Sequence, residues 1–307
     1  MESHNLKKVI VFIPCLNEEE TVATAINRVR ELYPSGVTEP KGYHVELLVV
    51  NDGSTDRTEE IAISKGVKVV SHQRNIGLGG AVRTALDTAY EMGADIAVKI
   101  DADLQHPPED IEKVIMPILE DKSDICLGSR FAGKIHYKMP LIRRWGNRFF
   151  TWLMNKLTTY RISDAQTGLF ACNRKYLSVF EMHGNYNAAQ QLLIDAFNKH
   201  MRYSEVPVDF HPRKTGKSFV TLRYPFYVLV NIFRILTFAN PLKVFSIIGV
   251  SLIAFSISYF GLSVIAEKFS WDISFIFVEN LSLAALIVGV QAFFFGVLAD
   301  LIIHKRK

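Results

Sequence analysis

The sequence predicts an α/β domain built on a parallel sheet, followed by two membrane-spanning helices. Three observations predict it. Strand-like and helix-like runs alternate through the first 130 residues, the most polar loops fall where strands end, and two apolar runs near the C-terminus are long enough to cross a bilayer.

Lys8–Ile13 reads as strand one, and Pro14-Cys15-Leu16-Asn17-Glu18 as the loop after it. Glu19–Leu32 reads as a helix, with Val22, Ile26 and Val29 at helical spacing. Val45–Val50 is strand two and ends in Asn51-Asp52-Gly53-Ser54-Thr55-Asp56. Thr58–Lys65 is helical and Val67–Ser71 is strand three. Gly77-Leu78-Gly79-Gly80 opens a helix over Ala81–Met92, Ile96–Ile100 is strand four, and Ile125–Leu127 begins another. The glycine-rich stretch is neither a dinucleotide fingerprint after strand one nor a P-loop, so its glycines are expected to serve turns and packing. In open α/β sheets ligands bind beyond the carboxyl ends of the strands. The loops with Asn17 and Glu18, with Asp52, and with Asp101 and Asp103 all fall there.

Strand four leads into Asp101-Ala102-Asp103-Leu104-Gln105. In an extended chain residues i and i+2 share a face, which would set the two carboxylates ~6–7 Å apart along the strand. Like charges so placed repel unless a cation joins them or one is protonated. Oxygen ligands suit Mg²⁺ or Mn²⁺, and a substrate diphosphate commonly completes the shell. The same residues are also compatible with a solvated Asp turn leading to a helix cap. His106 reads as a loop residue beside the pair.

The chain has 307 residues, 49% of them hydrophobic, and a formal charge of +4. The charge is uneven: neither 131–163 nor 210–266 holds an Asp or Glu. Such asymmetry suggests an acidic partner, a nucleic acid or a phosphate-bearing membrane surface. Cys15, Cys126 and Cys172 are scattered, with no zinc spacing and no disulfide framework. The apolar run Val9–Ile13 is too short for a signal peptide.

Leu242–Ala266 carries only Lys243 as a charge, and Leu281–Ile303 only Asp300. These are the two expected spans. The basic residues before Leu242 and the terminal His304-Lys305-Arg306-Lys307 place both flanks, and the N-terminal domain, on the cytoplasmic side. Leu141–Leu157 reads as a basic amphipathic helix. Leu141, Trp145, Phe149 and Trp152 form one face, and Arg144, Asn147, Arg148, Thr151 and Asn155 the other. Its readings are a helix at a membrane interface or one packed on the domain surface. Tyr224–Phe238 reads as a second interface helix. The expected division is a cytoplasmic domain over 1–219, a juxtamembrane helix over 220–241 and a two-helix membrane region over 242–307.

Taken in order, "PCLNEEETV", "VVNDGSTDRT", "IDADLQHPPEDI", "GSR", "SDAQTGLFACNR" and "RKTGKS" resemble family 2 glycosyltransferases, and within them the dolichyl- and polyprenyl-phosphate sugar synthases. "NPLKVFSIIG" and the two spans resemble the bacterial polyprenyl-phosphate members of that group. The resemblance implies a GT-A fold, a nucleotide-sugar donor, a polyprenyl or dolichyl phosphate acceptor and Mg²⁺ or Mn²⁺. It implies that Pro14, Asn17 and Glu18 line the nucleotide pocket and that Asp52 contacts base or ribose. It further implies that Asp101, Asp103 and Gln105 hold the metal. Arg130, Arg143 and Arg213 match basic positions around the donor and acceptor phosphates, and Ser218 lies in the acceptor-side loop. The family usually has Lys after that Ser; here Phe219 stands there, preceded by Lys217. A homo-oligomer through the membrane helices is implied by the same resemblance.

The activity expected is therefore inverting transfer of a hexose to a lipid phosphate. The soluble motifs point to mannose from GDP-mannose, the reading taken, and the two-span architecture to glucose from UDP-glucose. A polysaccharide synthase would carry Q-x-x-R-W, which is absent. A non-catalytic nucleic-acid binder would have no use for Asp101 and Asp103.

Overall fold

The computed structural model describes residues 6–34, 42–182, 184–185, 187–212, 230, 233–234, 236–237, 240–268 and 275–304. Arg213, Lys217, Ser218 and Phe219 lie outside the described residues, as does most of the expected second interface helix. The chain divides into two compact units, 1–231 and 232–307.

The first unit is built on a seven-stranded sheet in the order β3-β2-β1-β4-β6-β5-β7. Its strands are β1 (Lys7–Cys15), β2 (Tyr43–Asn51), β3 (Lys68–Ser71), β4 (Ile96–Lys99), β5 (Ile125–Ser129), β6 (Phe170–Asn173) and β7 (Tyr203–Pro207). Central β1 pairs in parallel with β2 and β4, and Val9–Ile13 are fully buried. Burial on both faces explains why its sequence is a continuous apolar run rather than an alternating one.

The sheet is not wholly parallel as expected: β6 runs antiparallel to both β4 and β5. The short run Phe-Ala-Cys-Asn has no periodicity that would betray its direction. Strand one is longer than expected and takes in Pro14 and Cys15, with Pro14 beyond the last β1–β4 pair, Phe12–Lys99.

The helices are α1 (Val22–Leu32), α2 (Thr58–Ser64), α3 (Leu78–Glu91), α4 (Ile111–Leu119), α5 (Leu141–Leu157), α6 (Arg174–Leu177) and α7 (Ala188–Asn198). Helix α1 starts three residues later than expected, because Glu18 and Glu19 are drawn into contacts with the loop after β2. Helix α3 starts earlier, its glycines forming the first turn.

The second unit is a pair of long helices, α8 (Pro241–Lys268) and α9 (Phe275–His304). Both are long and apolar enough to cross a membrane, with mean hydropathy 2.0 over Pro241–Leu262 and 2.3 over Asn280–Ile302. Glycines let the helices approach closely: a Cβ on Gly249 would lie 2.6 Å from the Gly289 carbonyl oxygen. Ser256 Oγ donates to the Ser282 carbonyl at 2.6 Å, so its buried hydroxyl is satisfied between the helices.

Candidate active site

Three loops meet at the carboxyl ends of β1, β2 and β4. The first two are stitched together. Asn17, in the left-handed region at φ 53°, donates its N–H to Ser54 Oγ at 2.9 Å, and its Oδ1 accepts the Thr55 N–H at 2.8 Å. Glu18 N–H donates to Thr58 Oγ1 at 2.8 Å. Asp56 accepts from Glu19 N–H and from Thr58 N–H, which builds the start of α2 against the first loop. The loops are thus one rigid ledge, with Asn17 exposed at its lip.

Asp52 was expected to meet a base or ribose. The structure turns it inward instead. Its side chain is 5% exposed; Oδ1 accepts from Ile76 N–H at 3.0 Å and meets His72 Nδ1 at 2.8 Å, while Oδ2 accepts from Gly77 N–H at 2.8 Å. His72 continues the chain to Thr84 Oγ1 at 2.9 Å. Asp52 is a latch that fixes the glycine-rich loop. Gly77 needs its glycine, because its φ is 95° and a Cβ would lie 2.5 Å from the Asn185 carbonyl oxygen.

At the third loop the ladder stops at Lys99 and the chain turns, with Leu104 at φ 59°. Asp101 and Asp103 are therefore not neighbours on an extended strand as expected. Lys99 is buried, and its Nζ donates to Asp101 Oδ1 and, at 2.9 Å, to the Gly168 carbonyl. Asp103 Oδ1 accepts the Gln105 N–H at 3.0 Å. Gln105 Nε2 donates to the His211 carbonyl at 3.1 Å and Gln105 O accepts the His211 N–H at 2.8 Å, which ties this turn to the segment leading to residue 213. Gly168 packs on the pair: a Cβ there would collide with Asp101 Oδ2. That explains the glycine of the Gln166-Thr167-Gly168 run.

His106 is 1% exposed, and neither ring nitrogen has a hydrogen-bond partner among the described residues. Its ring centroid lies 4.9 Å from that of Phe210. Burial pushes its pKa down from 6.5 to about 4, with the charges of Arg130 and Lys99 acting the same way against the opposing pull of Asp101, so the ring is neutral at pH 7.

Arg130, expected at a phosphate, is committed elsewhere. Its Nε and Nη2 fork onto Asp164 at 2.6 and 2.8 Å, and Nη2 also donates to the Gln166 carbonyl at 2.7 Å. Burial pushes the Asp164 carboxyl up. The charge and hydrogen bonds of Arg130, with those of Asn147 and Gln166, outweigh it and hold the group below its ordinary value. Asn147 belongs to α5 and donates to Asp164 Oδ1 at 2.8 Å. One turn on, Thr151 Oγ1 accepts from Ala165 N–H, and Asn155 exchanges two 2.8 Å bonds with the backbone of Ile162. The inner face of α5 thus sets Asn147 and Thr151 beside buried Phe150 and Met154, while Arg144, Arg148 and Asn155 of the expected polar face are exposed. Leu141, Trp145, Phe149 and Trp152 point outward, 71%, 68%, 46% and 55% exposed. Arg143 is half-buried near the start of α5.

Comparison with known proteins bears on what this ledge is for. The model of the family described as Glycosyl transferase family 2 matches residues 10–180. The chain belongs to glycosyltransferase family 2. It is a glycosyltransferase, and its relatives are dolichyl- and polyprenyl-phosphate sugar transferases. Residues 240–304, which take in the whole of α8 and α9, match the GtrB C-terminal hairpin.

The chain is 32% identical to a UDP-N-acetylglucosamine–dolichyl-phosphate N-acetylglucosaminyltransferase of Methanococcus voltae, over 66% of this chain and 85% of the other. It is 30% identical to a dolichol-phosphate mannosyltransferase of Pyrococcus furiosus, over 80% and 69%. An undecaprenyl-phosphate 4-deoxy-4-formamido-L-arabinose transferase of Shewanella sediminis is 26% identical over 98% and 88%. Among solved structures, glucosyl-3-phosphoglycerate synthase of Mycobacterium tuberculosis, in complex with Mn²⁺ and UDP-glucose, superposes with a TM-score of 0.59 at 22% identity, over 75% of this chain and 79% of that one. That likeness shows the GT-A fold in this glycosyltransferase.

Asp101, Asp103 and Gln105 lie in one turn. Lys99, His72, Asp164 and Gly168 were not singled out from it. Only Lys99 left a trace, as the one charge in an apolar strand.

Proposed function

We propose that this glycosyltransferase moves a hexose from a nucleotide sugar to a polyprenyl or dolichyl monophosphate, inverting the anomeric carbon by direct displacement. One juxtaposition carries the reading: the Asn17–Glu18 ledge and the Asp101–Gln105 turn lie at the carboxyl ends of adjacent strands, against Gly168. Asn17, Glu18 and the chain at Pro14 line the nucleotide side, while Asp52 acts at one remove by fixing the Gly77 loop.

Two carboxylates and the Gln105 amide oxygen are a hard donor set that fits Mg²⁺ or Mn²⁺. Gln105 Nε2 is given to His211 O, which orients the amide, and Gly168 leaves the room that a side chain would fill. A bound ion would stabilise the charge developing on the leaving diphosphate. The Mn²⁺ and UDP-glucose named for the mycobacterial synthase support this choice.

The acceptor phosphate has a second pKa of about 6 and is largely a dianion at neutral pH, so it needs no strong base. A neutral, buried His106 accords with that. Arg143, Arg213 and Ser218 serve the dianion, the arginines by charge; Arg130 acts by holding Asp164 and the chain leading to Gly168. The exposed aromatic face of α5 lies in the membrane interface, where Trp and Phe are favourable. The catalytic domain, 1–219, faces the cytoplasm and is joined through 220–241 to the membrane hairpin of 242–307.

The soluble motifs favour mannose as the sugar, and the Methanococcus relative supplies N-acetylglucosamine as the second donor to try. Full-length protein in detergent, with Mn²⁺ and a polyprenyl phosphate, is offered radiolabelled GDP-mannose, UDP-glucose and UDP-N-acetylglucosamine separately. Label passes into the lipid phase from one donor, and Asp103→Asn abolishes the transfer. Folded protein that binds nucleotide yet labels no lipid from any donor overturns the acceptor assignment.

A further inference from the structure

The ledge has a support behind it. Asp52 and His72 are the first residues after β2 and β3, and both stay tied to the sheet: Asp52 N–H donates to the Cys15 carbonyl at 2.8 Å, and His72 N–H to the Asn51 carbonyl at 2.9 Å. Their side chains, 5% and 14% exposed, meet at 2.8 Å through Asp52 Oδ1 and His72 Nδ1. An ionised carboxylate only accepts, so the proton of this contact is carried on Nδ1. Nε2 is left for Thr84 Oγ1 at 2.9 Å, in the second turn of α3. The bond made at one ring nitrogen fixes the tautomer at the other. A proton held on Nε2 alone would turn a lone pair of Nδ1 toward the carboxylate. Thr84 thus selects the ring form that suits Asp52.

The other end of this chain reaches the nucleotide side. Asp52 also takes the Ile76 and Gly77 N–H groups, which fixes the loop that follows His72. Gly53 packs on the backbone of the same loop: a Cβ there would lie 2.5 Å from the Arg74 carbonyl carbon. Ser54 and Thr55 come next, and they hold Asn17 at the lip of the ledge. With no side chain between residues 53 and 74 to take up slack, a displacement of the 72–77 loop is passed on to Ser54 and Thr55. We infer that His72 and Thr84 are positioning residues for the nucleotide: the Thr84–His72–Asp52 chain sets the loop against which the Asn17 ledge rests. This rests on the reading of the Asn17–Glu18 ledge as the nucleotide side. An apolar side chain would fill the place of the imidazole; what the imidazole adds is a hydrogen bond of fixed direction at each end.

The test is calorimetric titration of full-length protein in detergent with GDP and with UDP, each in the presence of Mn²⁺, below the melting temperature of every variant. Wild type binds at least one of them. Thr84→Val keeps the shape and removes the hydroxyl; it weakens that binding about fivefold, and Thr84→Ser restores it to within about twofold of wild type. His72→Phe removes both contacts and weakens binding about tenfold. Thr84→Val serves if His72→Phe does not fold. A merely structural role would lower the melting temperature and leave the affinity of the folded protein where it was. Affinity in Thr84→Val within about twofold of wild type therefore overturns the inference, as does a loss that Thr84→Ser does not restore. If wild type binds neither nucleotide, or Asn17→Ala binds as wild type does, the nucleotide reading itself fails and takes this inference with it.

Discussion

Helices α4 and α5 are both amphipathic, and they use that property in opposite senses. Helix α4 turns Ile111, Val114, Ile115 and Ile118 into the core. Helix α5 turns its aromatic stripe outward and docks through Asn147, Thr151 and Asn155, spaced i, i+4, i+8. Asn147 adds a donor to the buried Asp164 carboxylate, and Thr151 and Asn155 meet the backbone N–H and C=O groups of 162–165. On α5 the inner side joins buried Phe150 and Met154 to polar side chains that serve an irregular segment whose backbone needs partners, and the aromatic stripe is left for another solvent.

The sharpest way to break this contrast is to remove the anchor of α5. Asp164→Ala strips the buried Arg130 of its ion pair and Asn147 of its acceptor. A loss of about 3–5 kcal/mol is expected for breaking a buried pair from one side. Denaturant unfolding in detergent measures it, and a loss below about 1 kcal/mol would mean that α5 is held some other way.

A pair of truncations tests the two stripes directly. Ile115→Ala in α4 removes buried volume and costs about 2–5 kcal/mol. Phe149→Ala in α5 changes stability by no more than about 0.5 kcal/mol. It does, however, reduce quenching of Trp145 and Trp152 fluorescence by brominated lipids in reconstituted vesicles, with Trp271→Phe as background. Equal stability losses in the two variants would erase the distinction.

A last effect, confined to acid pH, concerns His106, in the turn that leads into α4. Its folded pKa of about 4 lies below the ordinary 6.5, so the unfolded chain binds the proton more readily. The contribution is fully present above about pH 6.5 and is lost as pH falls toward 4, amounting to about 3 kcal/mol. His106→Phe flattens the acid side of the stability–pH curve in that window. An unchanged curve would show that the ring is not buried neutral in solution.

The sequence was most informative where chemistry repeats along the chain. The bounds of α5 were read correctly, as was the succession of strands and helices through β4. The inner face of α5 was less legible, because hydropathy ranks faces without naming the partner each will meet. The bonds that Asp52 makes were hidden for a related reason. A carboxylate after a strand looks like a ligand, and only the fold reveals that the Ile76 and Gly77 N–H groups arrive at it from a distant loop. The bond from Lys99 to the Gly168 carbonyl was likewise invisible, because pairing of β6 with β4 is what brings Gly168 there. The reversal of β6 had no local signal at all.

That reversal has a consequence for how the enzyme can change. Because β5 and β6 are antiparallel neighbours, residues 130–169 leave the sheet and re-enter it at the same end. The excursion, α5 included, is a cassette clipped between two fixed strands. Its length and outer surface can diverge without shifting a single pairing in β1–β4. One lineage can thus acquire a new docking surface while inheriting its nucleotide ledge intact.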